Sequence, residues 1–418
     1  SEPRPSPRRG APFSVLRSLF SGAAEPPLRQ WPHPFGIIVV MKLTVAAAMI
    51  VDAEGSVLCV RRGAKGFPST ANKWEFPGGK LEPGETPAQA AVREVREELG
   101  LEIEALAECA AVHHVYPEFS ITLHGVLCAT VEGGSPSPTL REHTDFDWCP
   151  PDKLWRHDFA AADTPLLVHL RERFFGSHLK TESFGRHAHF LQACASTNTE
   201  LLALAEAGAP EGTVVVTEEQ SAGRGRLGRS WATAPGQSLA FSLLARPKAP
   251  PEVAATLPLV AGLAVATALR VRGFDAGLKW PNDVLIDERK VCGILCEAQT
   301  SAKGIEGIVV GIGVNTGVVP EALAHRAVGL GGVDRLVLLT ELCAAFETLY
   351  ARWSKGGLPA LRAELNALDC KRGKTILVRP AGGTIEGFSR GIRDDGALLL
   401  DREGTIEPIL CGEIAQWD

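Results

Sequence analysis

The stretch Gly78-Gly79-Lys80-Leu81-Glu82-Pro83-Gly84-Glu85-Thr86-Pro87-Ala88-Gln89-Ala90-Ala91-Val92-Arg93-Glu94-Val95-Arg96-Glu97-Glu98-Leu99-Gly100-Leu101 decides the fold of the first part of the chain. Thr86 is a good N-cap, Pro87 suits the first helical position, Gln89 completes a capping box, and Gly100 is a natural stop. The spacing predicts a helix of about three and a half turns. Along it Ala91, Val95 and Leu99 recur every four residues and face a core, whereas Glu94, Glu97 and Glu98 fall within ~100° of one another. Like charges four residues apart destabilise a helix by about 0.2 to 0.5 kcal/mol per pair, a penalty that a purely structural surface avoids by interleaving lysine. Clustered hard oxygens suit Mg²⁺ or Mn²⁺, which hold a phosphate chain and activate water.

The string fits the pattern G-x5-E-x7-R-E-U-x-E-E-x-G-U, with U apolar, at Gly79, Glu85, Arg93, Glu94, Val95, Glu97, Glu98, Gly100 and Leu101. Seven fixed identities at a usage of roughly one in 15 give odds on the order of 10⁻⁸ per start position. This region resembles the Nudix hydrolases, and Lys73-Trp74-Glu75-Phe76-Pro77-Gly78-Gly79-Lys80 places it with the MutT-like branch. The resemblance implies an α/β/α sandwich that cleaves a nucleoside triphosphate to monophosphate and pyrophosphate. It implies Glu94 and Glu98 as catalytic residues. Glu94, Glu97, Glu98 and the Gly78 carbonyl would hold the metal, with Glu142 as a further ligand or base. Glu85 would pair with Arg93 to brace the loop. Arg62, Glu75, Phe76, Pro77, Gly78 and Asp163 would contact the nucleotide. Relatives acting on 8-oxo-guanine nucleotides often carry Asn at the position of Asp163, whereas Asp is usual in relatives acting on cytidine triphosphates.

The stretch Gln220-Ser221-Ala222-Gly223-Arg224-Gly225-Arg226-Leu227-Gly228-Arg229-Ser230-Trp231 reads by itself either as an anion-clamping loop or as a solvated basic loop or nucleic-acid patch. Glycine lets backbone approach a ligand closely, and guanidinium forks grip phosphate or carboxylate bidentately. Ser196-Thr197-Asn198, Lys279-Trp280-Pro281-Asn282-Asp283-Val284, Lys290-Val291-Cys292-Gly293-Ile294-Leu295-Cys296-Glu297 and Gly311-Ile312-Gly313-Val314-Asn315 complete an ordered set. That set closely resembles biotin protein ligase from about Ser183 to the C terminus, including Gly387-Phe388-Ser389-Arg390-Gly391 and Gly412-Glu413-Ile414. The resemblance implies two-step acyl transfer, in which biotin and ATP give biotinoyl-AMP and a carrier-domain lysine then takes the biotinoyl group. It assigns catalysis to Lys279, Arg224 and Arg226. Biotin and ATP would be bound by these three with Ser196, Thr197, Asn198, Gln220, Gly223, Gly225, Arg229, Asn282, Asp283 and Asn315. The winged helix that opens many bacterial relatives is replaced here by the Nudix region.

The chain has 418 residues, which at roughly 100 to 200 per domain suggests two or three domains. Its 45% hydrophobic and 22% charged residues exclude collagen-like, coiled-coil and wholly disordered classes. A net charge of -6 leaves no global basic footprint for nucleic acid. Neither DNA nor membrane is expected as a partner; small nucleotides and a biotin carboxyl carrier domain are. Ten scattered cysteines without a C-x-x-C pair read as reduced thiols of a cytoplasmic protein. The apolar stretch Leu257 to Leu269 contains Pro258 and Gly262 and falls short of the ~20 residues that cross a bilayer.

Residues 1–40 hold eight prolines, five arginines and only two acids and are expected to be a disordered leader, an extension upstream of a natural start at Met41. A Nudix domain is expected over 41–175, a linker over 176–182, a class II synthetase-like mixed-sheet catalytic domain over 183–369 with helices near 252–270 and 335–353, and a small SH3-like barrel over 370–418. The overall class is α/β (α+β). The alternative is a lipoate-type ligase carrying a nucleotide-binding Nudix module without turnover.

Overall fold

The computed structural model describes residues 41–131, 136–231, 235–302, 304–380 and 383–415. The expected leader and the Ala381-Gly382 turn lie outside the described residues. The chain divides into two compact units, the first ending at Ser177 and the second running from His178.

The first unit is built on seven strands: β1 (Lys42–Val51), β2 (Val57–Arg62), β3 (Trp74–Glu75), β4 (Gly78–Lys80), β5 (Ile103–Val115), β6 (Ser120–Thr130) and β7 (His143–Cys149). They run in the order β3-β2-β1-β6-β5, with β4 paired to β1 and β7 to β2. Helix α1 (Pro87–Leu99) begins with the capping box expected of Thr86 and Gln89 and ends at Gly100 in the left-handed conformation. Its Ala90, Ala91, Val95 and Leu99 pack against Ala46, Ala48 and Ile50 of β1 and Leu58 and Val60 of β2. Strand residues alternate between faces, so Met49 turns the other way. There it meets Leu166 of helix α2 (Thr164–His178) across Gly125, which leaves room for both. Two helices on opposite faces of one sheet make the α/β/α sandwich. A charge at Val95 would cost at least the roughly 2 kcal/mol that its burial contributes.

In the second unit the sheet order is β11-β12-β13-β14-β10-β9-β8. The strands are β8 (Ala188–Cys194), β9 (Val214–Gln220), β10 (Ser238–Ala245), β11 (Ala276–Lys279), β12 (Asp283–Ile286), β13 (Arg289–Ser301) and β14 (Gly304–Asn315). Among the described strands of this sheet, only β8 and β9 pair in parallel. Helix α3 (Thr197–Glu206) packs on β9, β10 and β14. The apolar segment expected as one helix is two, α4 (Pro251–Ala254) and α5 (Leu257–Val271). Pro258, in the first turn of α5, has no N–H to continue the ladder. The Thr256 hydroxyl donates instead to the Val253 carbonyl at 2.7 Å. At 21 residues, Pro251–Val271 is long and apolar enough to cross a bilayer, contrary to the expectation from Leu257–Leu269, but 72% of its most apolar window is buried in the core. Helix α5 packs there on β11 and β13 and against α6 (Arg335–Gly356).

Residues 176–178 continue α2, and the amides of Glu182, Ser183 and Phe184 donate to the Glu347 carboxylate of α6. After α7 (Arg362–Leu368) come β15 (Thr375–Arg379), β16 (Ile385–Ile392), β17 (Leu398–Arg402), β18 (Thr405–Ile409) and β19 (Glu413–Ile414), which pair as a five-stranded C-terminal sheet where a small barrel was expected. Its order is β18-β17-β16-β15-β19. The indole of Trp280 donates to the Gly396 carbonyl at 3.0 Å and joins this sheet to the catalytic one. All ten cysteines are free thiols.

Candidate functional site

In the first unit, Gly78 has φ +151, and a Cβ there would stand 2.0 Å from the Ala46 carbonyl, so only glycine lets β4 lie against β1. A Cβ at Gly79 would stand 2.2 Å from the Glu94 carboxyl carbon, so the bare backbone makes room for that side chain. Arg93 donates twice to Glu85, at 2.9 Å each, and once to the Lys80 carbonyl at 3.1 Å, bracing loop against helix as expected. The same guanidinium reaches Glu94 at 2.9 Å and Glu97 at 3.3 Å. Like charges on the stripe are thus held by a cation the periodicity did not assign to them.

Glu98 points elsewhere. Its Oε2 is buried without a hydrogen-bond partner and lies 3.8 Å from His143 Nδ1, which is likewise buried and unpartnered. Burial pushes the Glu98 carboxyl up to about 7; His143 opposes this, and Glu142, Glu94 and Glu75 add to it. Through its other nitrogen His143 sits 3.0 Å from Glu75, which also accepts from Arg62. Asp163 accepts from the Phe76 amide at 3.0 Å, and burial raises its pKa to about 8, with Glu75 adding to the shift. Tyr116 Oη accepts from the Ala162 amide at 2.9 Å and fixes the turn that presents Asp163. Arg62, Glu75, Phe76 and Asp163 therefore come together, while Glu142 is exposed near Glu98. The sequence reading missed His143 and Tyr116; the pairing of His143 with an acid on each side has no signature in spacing.

The unpartnered buried Glu98 oxygen, with Glu94 and Glu142 close enough to raise its pKa, fits a hard divalent cation, which would offset the charge of two carboxylates. A different group, Asp147, Cys149 and His157, brings its ligand atoms within 4.8 Å of one another. There Arg156 already binds Asp147, and His157 stacks on Trp74 with ring centres 4.0 Å apart.

In the second unit, one cleft is lined by Ser196, Asn198, Gln220, Arg224, Arg226 and Asn282 together with Thr197 and Gly225. Asn198 is the hub. Its amide donates to Glu297 at 2.7 Å and to the Leu295 carbonyl at 3.2 Å, and its carbonyl accepts from the buried Ser242 hydroxyl at 2.6 Å. Gln220 accepts from the Thr197 amide at 2.9 Å, which fixes the start of α3. Closed glycine surfaces make the floor: a Cβ at Gly311 would stand 2.3 Å from Asn198 Oδ1, and one at Gly313 2.4 Å from Trp231 Cε2. The indole nitrogen of Trp231 is buried there without a partner.

The arginine loop closes on itself like a hairpin, with the Gly225 amide donating to Arg229 at 2.7 Å and the Trp231 amide to Gly223 at 2.9 Å. A Cβ at Gly223 would stand 2.4 Å from the Trp231 carbonyl. Arg224 rests on Glu297 at 3.1 Å, Arg226 on the Asn282 side-chain amide oxygen Oδ1 at 3.2 Å, and Arg229 on Glu413 of β19. Arg229 lines an adjoining hollow with Arg224, Gly225, Arg226 and Glu297, whereas Gly223, Lys279, Asp283 and Asn315 line neither. Lys279 is 8% exposed; burial lowers its pKa, Asp283 and Glu413 oppose this, and Lys371 and Lys290 reinforce it. Lys290, on the cleft wall, and Glu297, bound to Asn198 and Arg224, lay unmarked inside a quoted motif, and Ser242, bound to Asn198, lay outside all of them.

The fold and these two sites define a two-domain enzyme that handles anionic, nucleotide-type substrates, one site built on carboxylates and the other on guanidiniums. Residues 41–170 match the family described as NUDIX domain, and residues 191–315 match the Biotin/lipoate A/B protein ligase family. The biotin--[acetyl-CoA-carboxylase] ligase of Paracoccus denitrificans is 37% identical over 218 residues, 49% of this chain and 90% of that protein. The CTP pyrophosphohydrolase of Escherichia coli is 35% identical over 136 residues, 30% of this chain and 90% of its own. The 8-oxo-dGTP diphosphatase of the same organism is also 35% identical, over 130 residues, 31% of this chain and 97% of its own. The chain belongs to the Nudix hydrolases through its first unit and to the biotin protein ligases through its second.

Proposed function

We propose that the second unit condenses biotin with ATP to biotinoyl-AMP and pyrophosphate, then transfers the biotinoyl group to a lysine of a biotin carboxyl carrier domain. The lining of one cleft by Asn198, Arg224 and Arg226 is the observation that carries this reading. The attack brings a carboxylate onto a polyphosphate, and preset cations offset the charge that accumulates. Arg224 and Arg226 supply two of these, each parked on an acceptor that a phosphate oxygen can replace. Ser196, Thr197, Asn198 and Gln220 supply directed polar groups for biotin's ureido head. The test is transfer of labelled biotin, with lipoate as competitor, to an apo carrier domain. Labelling by lipoate in preference to biotin overturns the reading.

In the same way we propose that the first unit hydrolyses a nucleoside triphosphate to monophosphate and pyrophosphate. Glu94, Glu97, Glu98 and the Gly78 carbonyl would hold Mg²⁺ or Mn²⁺, which polarises the phosphate chain and lowers the pKa of attacking water. The Asp163 carboxyl, neutral below about 8, offers one O–H donor and one carbonyl acceptor. That pair complements N3 and the N4 amine of cytosine, so a cytidine triphosphate is the first substrate to assay and 8-oxo-dGTP the second. Equal, negligible turnover of both by the wild-type chain would overturn the reading.

A further inference from the structure

We propose that Asp147, Cys149 and His157 of the first unit, completed by Cys59, form a structural site for Zn²⁺, separate from the carboxylate site of Glu98. The ligand atoms of Asp147, Cys149 and His157 already lie within 4.8 Å of one another. Ligands of tetrahedral Zn²⁺ stand roughly 3.6 Å apart at its usual bond lengths, so side-chain shifts of about 1 Å close the three around an ion.

The fourth ligand comes from the sheet register. Cys59 of β2 is the partner of Asp147 of β7, and Val57 is that of Cys149. Opposed residues of antiparallel strands share a face, with Cβ atoms about 4.5 to 5.5 Å apart. Leu58, Val60, Phe146 and Trp148 take the face that packs on α1, so Cys59, Asp147 and Cys149 all turn to the other. Both cysteines are fully buried, and their thiols donate weakly to local carbonyls, Cys59 to Val57 at 3.7 Å and Cys149 to Pro150 at 3.5 Å. His157 follows the short helical turn Pro151–Arg156 and brings Nε2 to 2.6 Å from Asp147 Oδ2.

The charges balance once the ion is counted. Burial pushes both thiols above their ordinary range, so without a cation they stay protonated. A coordinating thiol ionises outright, and Zn²⁺ binding sends both protons to solvent. Two thiolates and one carboxylate around Zn²⁺ leave a single negative charge. Arg156, bound to Asp147 and within electrostatic reach of Cys149 and Cys59, supplies the compensating positive one, the place of an outer partner to a ligating carboxylate. Sulfur and imidazole donors select zinc over the hard cation that suits Glu94 and Glu98. The site pins β2 and β7 to the segment that presents Asp163: His157 stacks on Trp74, whose amide donates to the Asp158 carbonyl at 3.0 Å and whose carbonyl accepts from the Ala160 amide at 2.8 Å.

The experiment strips the full chain with a chelator under reducing conditions, then titrates it with Zn²⁺ against a chromophoric chelator and, separately, with Co²⁺. The expected result is one Zn²⁺ per chain with a Kd below about 100 nM, the weak end for structural zinc, and release of about two protons per ion near pH 7. Co²⁺ should give the strong visible bands of a tetrahedral ion and a near-ultraviolet thiolate charge-transfer band. Cys149→Ser and Cys59→Ser should each abolish that band and weaken Zn²⁺ binding at least about 100-fold, beyond the effect of losing an outer partner. Glu98→Gln should keep the band, which separates this site from the carboxylate one. The inference is overturned if the wild-type chain shows no thiolate band at one equivalent of Co²⁺, or if the band persists in either serine variant. The wild-type titration decides the matter even where a variant fails to fold.

Discussion

Glu297 holds Arg224 at 3.1 Å through the same oxygen that accepts from Asn198 at 2.7 Å. One carboxylate therefore couples the arginine loop to Asn198, the centre of the network proposed to face biotin. Replacing Glu297 with Ala leaves Asn198 its bond to the Leu295 carbonyl but frees Arg224 to drift. The expected outcome is a rise of about 10-fold in the biotin KM, the scale of one lost charge-assisted hydrogen bond. Steady-state biotinylation kinetics check it, and an unchanged KM contradicts it.

The glycine floor admits no side chain. For Gly311→Ala the new Cβ meets Asn198 Oδ1 at 2.3 Å, and for Gly313→Ala it meets Trp231 at 2.4 Å. A forced shift of about 1 Å in a positioning group costs on the order of 100-fold in rate. Each variant should lose about that much kcat/KM in carrier biotinylation while its circular dichroism stays that of the wild type. A variant with full activity would contradict the close approach.

These glycines show how far the sequence carries the structure. The box from Gly79 to Leu101 was legible because its elements are local: a cap, a period of four and a stop residue all act within one helix. The arginine loop was legible for the same reason. Lys290, Ser242 and Glu297 were not, because each acquires its role through a partner on another strand or on the helix that starts at Thr197, and β-register leaves no periodic trace of which residue ends opposite which. His143 stayed hidden beside Glu142 for the same reason, its two acidic neighbours coming from positions 75 and 98. The break between α4 and α5 was readable in Pro258, yet the apolar run around it outweighed that signal.

Asp163 makes stability depend on pH in a definite direction. Its folded pKa of about 8 stands above its ordinary 3.8. The folded state therefore binds the extra proton between those values, and the stability this contributes is full below about pH 4 and is lost as pH rises to about 8. Asp163→Asn keeps an acceptor for the Phe76 amide but cannot ionise. Thermal melts should show the variant and wild type nearly equal at pH 4, the variant more stable by a few kcal/mol at pH 8.5, and no further divergence above that. A gap that closes with rising pH would contradict the assignment.

Glu98→Gln removes a charge from the carboxylate group that is proposed to hold the metal, leaving side-chain size unchanged. Nucleoside triphosphate hydrolysis at saturating Mg²⁺ should fall at least about 100-fold, while carrier biotinylation by the same preparation stays at wild-type rate. Pyrophosphate release with CTP and with 8-oxo-dGTP reads the first activity. Persistence of hydrolysis in this variant would contradict the role given to Glu98.

Cations of the second unit are proposed to activate biotin for a carrier lysine. The most direct measurement incubates the full chain with ATP, Mg²⁺, biotin and an apo carrier domain, and weighs the carrier by intact mass spectrometry. The account predicts a gain of one biotinoyl group on a single lysine, dependent on ATP and abolished in Arg224→Ala. A carrier that stays at its original mass with the wild-type chain, yet is labelled by a known biotin ligase in a parallel reaction, would contradict it.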